Sequence, residues 1–133
     1  MSKSLGSPAG TFAIGGALTG NRLGFGSMQL PGAGVRREPA NRGEAVRVLR
    51  RAVELGAAFI DTADAYGPFV AEELIREALH PYPNDLVIAT KAGFTRGSPG
   101  DWRPLGRPEH LRQQADPNDE PAYTTSVDSE EPC

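Results

Sequence analysis

The chain has 133 residues and a formal net charge of −3, enough for one domain, and contains no apolar run long enough to cross a bilayer. Its only cysteine, Cys133, excludes an intramolecular disulfide and leaves no thiolate metal site. Charge is uneven: residues 115–133 carry six acidic side chains and no basic ones, leaving 11 acids against 14 bases in residues 1–114, a mildly basic body that either suits a phosphate-bearing ligand or is ordinary surface charge; neither nucleic acid nor a membrane is an expected partner.

Residues 1–10 are polar and glycine-rich, without an apolar run behind a basic one, and are read as a disordered lead-in without a secretory signal. A cytoplasmic location is the expectation. Residues 11–18 read as a strand, 19–21 as a turn and 22–28 as a second strand. Gly24 and Gly26 weaken that strand and mark either a close approach to the backbone or a bend. Residues 29–40, with Pro31, Gly32, Gly34 and Pro39, form a loop.

Asn41 then caps a helix whose apolar positions Val46, Leu49 and Val53 recur at helical spacing, and Gly56 stands where a helix-ending glycine belongs. Residues 57–61 follow as a strand apolar enough to be covered on both faces. A second helix is predicted over 68–79, with Val70, Leu74, Ile75 and Ala78 as its apolar stripe and His80 at its end. Residues 86–89 are the next strand, and 107–114 begin a third helix. Between them, residues 93–106 form a long loop holding Arg96, Asp101, Trp102 and Arg103, in which Trp102 either lines a pocket or pins the loop.

This alternation is the signature of parallel βα units. A doubly wound dinucleotide fold needs a phosphate-gripping glycine turn leading directly into the first helix, and none is present, so a (β/α)8 barrel is favoured. Chemistry collects at the C-terminal strand ends of such folds. There the sequence places Asp61 and Tyr66 after one strand and Lys91 after the next.

A lysine ammonium about 4 Å from a phenol favours the phenolate by on the order of 1 kcal/mol in bulk water to 4 kcal/mol at an effective dielectric near 20, enough to bring a tyrosine toward work near neutral pH. Asp61 would in turn hold Lys91 charged and oriented. Each residue alone also has a structural role open to it: capping for Asp61, packing for Tyr66, solvation for Lys91. Together they form a proton donor aimed at a carbonyl oxygen.

Four segments, residues 21–28, 47–56, 59–67 and 88–91, resemble the N-terminal part of an aldo-keto reductase. The resemblance spans roughly residues 11–114. It implies an incomplete (β/α)8 TIM barrel, an α/β fold with an N-terminal β-hairpin closing the floor and about three βα units, followed by an acidic disordered tail over 115–133. It also implies reduction of a small aldehyde or ketone by hydride from NADPH. On this mapping Tyr66 is the general acid, Lys91 lowers its pKa and Asp61 partners the lysine. Gly26, Ser27 and Met28, with Asp61, lie against the nicotinamide end of the cofactor, and Asp64 carries no catalytic role.

The resemblance also implies a catalytic histidine on the next strand and adenosine-phosphate contacts on the last strands, which this sequence does not contain; His110 falls in the third helix instead. The expectation is therefore a truncated or frame-shifted product, its activity impaired. The alternative is a non-catalytic fragment, inert or acting as an interaction module, with self-association through open sheet edges.

Overall fold

In the computed structural model, residues 9–98 and 100–115 are described, so the predicted acidic tail and most of the lead-in lie outside the described residues. The chain opens with an antiparallel hairpin, β1 (Thr11–Ile14) and β2 (Leu18–Asn21), pairing Thr11 with Asn21 and Ile14 with Leu18. Its turn is at residues 15–17, not at the expected 19–21. Gly15 and Gly16 both take left-handed φ, +59° and +74°, which a side chain would resist, whereas Gly20 continues the strand.

Three parallel strands follow in the order β3 (Phe25–Gly26), β4 (Phe59–Asp61), β5 (Val87–Ala89). β3 is shorter than the strand expected over 22–28. Between β3 and β4 runs α1 (Arg42–Glu54), whose Asn41 cap accepts the Glu44 N–H at 3.0 Å. The helix ends as expected, with Gly56 at φ +100° and its N–H donated to the Val53 carbonyl. Between β4 and β5 runs α2 (Val70–Leu79), which starts two residues later than expected because Phe69, its N-cap, is itself left-handed at φ +62°.

Leu49 of α1, Ile60 of β4, and Leu74 and Ile75 of α2 are fully buried and form one core with Leu30, Val46 and Val70. The expectation that β4 is covered on both faces is corrected. Ile60 faces the helices, but its neighbours Phe59 and Asp61 alternate to the other face of the pleat and are only half-buried. Beneath that face, Phe59 joins Phe12, Ile14, Asn21, Arg22 and Gly24 around an apolar cavity of about 360 Å³ between hairpin and sheet.

The loop after β5 holds a small antiparallel hairpin that the sequence did not announce, β6 (Phe94–Thr95) with β7 (Arg103–Pro104). α3 (Pro108–Ala115) closes the described chain and buries no residue. Among the described residues, no helix is long and apolar enough to cross a membrane.

Candidate active site

Strand register builds the site. Gly26, Asp61 and Ala89 stand side by side at the last positions of β3, β4 and β5. The ladder continues past them: Ser27 N–H donates to the Asp61 carbonyl at 2.9 Å, Thr62 N–H to Ala89 at 2.8 Å and Asp64 N–H to Lys91 at 3.1 Å. The chain after β4 is thus tied to the chain after β5 over several residues, bringing Asp61, Tyr66 and Lys91 onto one rim.

Lys91 Nζ donates to the Asp61 carboxylate and, at 3.0 Å, to the Thr62 carbonyl. The two charged side chains are about half exposed, 52% and 48%. The same ammonium lies 6.0 Å from the centroid of the half-buried Tyr66 ring. One cation therefore faces a carboxylate, a carbonyl and a phenol ring.

The β3 end divides the three residues expected there. Ser27 is fully buried, and both its N–H and its hydroxyl are spent on the Asp61 carbonyl, so it holds Asp61 in place rather than offering a surface. Gly26 and Met28 are exposed, Met28 at 41%, and a side chain at Gly26 would meet nothing within 4 Å. With half-exposed Asp61 beside them, they leave the strand ends open to a flat ring, and in this the residues present fit the nicotinamide end of a dinucleotide.

Asp64 is buried, and burial pushes its carboxyl above the usual carboxylate range; the Ala65 N–H and the charge of His110 in α3 pull the other way. Among the described residues no cluster of three or more His, Cys, Asp or Glu side chains could hold a metal ion.

Two roles are not legible in the sequence. One is that of the Ser27 hydroxyl, expected against the cofactor but turned onto the Asp61 carbonyl. The other is that of Arg96, seen only as a loop residue, whose guanidinium donates to four backbone carbonyls from three loops. Nothing in a sequence marks a carbonyl as a partner, because every residue has one.

The sequence pattern of the aldo/keto reductase family matches residues 22–128, beginning just after the hairpin and running into the acidic segment. An uncharacterised oxidoreductase of Schizosaccharomyces pombe is 48% identical over 108 residues, covering 81% of this chain and 35% of that protein. Pyridoxine 4-dehydrogenase of Escherichia coli is 47% identical over 108 residues, covering 81% and 37%. Among solved structures, an aldo-keto reductase of Bacillus halodurans in its holo form superposes with a TM-score of 0.63 at 27% identity, covering 78% of this chain and 33% of that one. Glycerol dehydrogenase of Gluconobacter oxydans gives 0.65 at 27% identity, with the same coverage. The chain spans about a third of the length of these relatives, and its βα units form part of a TIM barrel. On this match, which takes in most of its length, the chain belongs to the aldo/keto reductase family.

Proposed function

We propose that the chain carries the proton-donating part of an NADPH-dependent carbonyl reductase site, with Tyr66 as the donor. The observation that carries this reading is the Lys91 ammonium, held between the Asp61 carboxylate and the Thr62 carbonyl and 6.0 Å from the Tyr66 ring. When bound, NADPH supplies the hydride. Tyr66 gives its phenolic proton to the substrate oxygen as negative charge builds there. Lys91 stabilises the charge then left on the phenol oxygen, and Asp61 keeps the lysine charged and aimed. Gly26 and Met28, at the open end of β3, are the residues that would meet the nicotinamide.

The pyridoxine 4-dehydrogenase relative makes a small aromatic alcohol–aldehyde pair the first substrate class to try, and the same reading keeps a cytoplasmic location. A second reading is favoured by topology: among the described residues β3 and β5 each present an unpaired edge, which suits self-association or an interaction module without catalysis.

The deciding experiment mixes the purified chain with NADPH and a panel of aldehydes and follows the nicotinamide absorbance. Turnover that disappears in Tyr66→Phe supports the reductase reading. Absence of NADPH binding overturns it for this chain and leaves the second.

A further inference from the structure

The three loops that rise from the C-terminal ends of β3, β4 and β5 meet at one side chain. The Arg96 guanidinium donates through Nη1 to the carbonyls of Val35 and Ala65, both at 3.0 Å, and through Nη2 to that of Gly34 at 2.7 Å. Its Nε donates to the Asp101 carbonyl at 3.1 Å. Val35 and Gly34 belong to the loop after β3, Ala65 immediately precedes Tyr66, and Asp101 immediately precedes Trp102. The guanidinium carbon also lies 3.6 Å from the centroid of the Trp102 ring, a stacked cation.

Trp102 in turn touches Tyr66 edge-on, with centroids 6.4 Å apart at 80°, and Phe94 at 5.9 Å and 89°. One fork therefore fixes the backbone on the N-terminal side of Tyr66 and, through the indole, the ring itself. The loop after β3 is tied to the same point independently, since Gly67 N–H donates to Val35 and Arg37 N–H to Gly67, at 3.1 and 2.8 Å. Burial lowers the pKa of Arg96 from its usual value, and the neighbouring Arg36 guanidinium lowers it further. The Asp101 carboxylate acts in the opposite direction, and four backbone carbonyls accept the cation's hydrogen bonds at this crossing.

We infer that Arg96 is a positioning residue for Tyr66, acting through the Ala65 carbonyl and the Trp102 indole. The inference rests on the reading of Tyr66 as proton donor for its significance, but the contact itself can be tested without cofactor or substrate. A lysine cannot replace the arginine, because a point charge with rotating donors does not reproduce a planar fork that also stacks on an indole.

The test is 19F NMR of the full chain labelled with 3-fluorotyrosine, which carries three tyrosines and a single tryptophan. Tyr66→Phe and Tyr82→Phe assign the signals. The expected result is that Trp102→Leu moves the Tyr66 signal, that Arg96→Ala moves it in the same direction, that Arg96→Lys does not restore it, and that the Tyr82 signal stays in place throughout. In parallel, iodide quenching of the Trp102 fluorescence rises in both Arg96 variants. A Tyr66 signal unmoved in Arg96→Ala, or one fully restored by Arg96→Lys, overturns the inference. So does a common movement of all tyrosine signals, which would mean a general structural role; if Arg96→Ala does not fold, the lysine variant alone decides by the same criteria. Because no turnover is measured, failure of the reductase reading leaves this result interpretable by itself.

Discussion

Lys91 and Asp61 sit on neighbouring parallel strand ends and form an ion pair although each is about half exposed. A pair so open to water contributes only about 0–1 kcal/mol to folding. On the proposed reductase reading its position beside Tyr66 is a different matter, since an ammonium near a developing phenolate is worth on the order of 1–4 kcal/mol, or roughly five- to a thousandfold in rate. On that reading, Lys91→Met is expected to leave the urea midpoint nearly unchanged while lowering carbonyl reduction by at least about fivefold. Paired denaturation and turnover measurements check this; a large loss of stability with unchanged turnover would reverse the assignment.

Gly67 and Gly93 have almost the same φ, +124° and +122°, but different surroundings. A Cβ on Gly67 would stand 2.4 Å from the Val70 Cβ and 2.7 Å from the Val70 nitrogen, whereas one on Gly93 would meet nothing within 4 Å. Gly93→Ala then costs only backbone strain, about 1–3 kcal/mol. Gly67→Ala adds overpacking of about another 1–3 kcal/mol, next to Tyr66. Equal urea midpoints for the two variants would contradict this account.

Burial raises the Asp64 pKa above its unfolded value, so the folded chain binds this proton more tightly than the unfolded chain does. The sign follows from linkage: between the unfolded pKa, about 4, and the raised folded value, stability falls as pH rises, and above the folded value the full cost persists. His110 in α3 and the Ala65 N–H reduce the cost without cancelling it. Asp64→Asn, which cannot ionise, is expected to be more stable than the parent at neutral pH, with the difference shrinking as pH drops through the carboxylate range. Thermal melts of both chains from neutral to acid pH measure it, and a difference that grows on acidification would refute it.

The core depends on a few side chains. Leu49 is fully buried between α1 and the sheet, while Val48 beside it is 39% exposed. Leu49→Ala should cost about 2–5 kcal/mol, and Val48→Ala should stay within about 0.5 kcal/mol. Urea titrations of the two variants read the difference directly.

Much of this was legible in advance where the physics is local. Asn41 and Gly56 bracket α1 because a cap oxygen and a left-handed glycine act within a few residues, and Val46 and Leu49 repeat at the helical period. The hairpin turn was misplaced because two adjacent glycine groups were available and only Gly15 and Gly16 adopt left-handed φ. The β6–β7 pairing was invisible because strands of two residues, one of them ending in Pro104, carry no alternation to read.

By itself the sequence determined the family pattern, the order of βα units and the approach of Asp61, Tyr66 and Lys91, since in parallel strands residues following consecutive apolar runs must emerge at the same end. Only the tertiary structure decided that Ser27 is turned inward onto the Asp61 carbonyl, that Phe59 and Asp61 share the less covered face of β4, and that Arg96 joins three loops around Tyr66. The physical reason is common to all three. Their partners are backbone carbonyls or the far face of a pleat, and neither has a residue identity that a sequence can display.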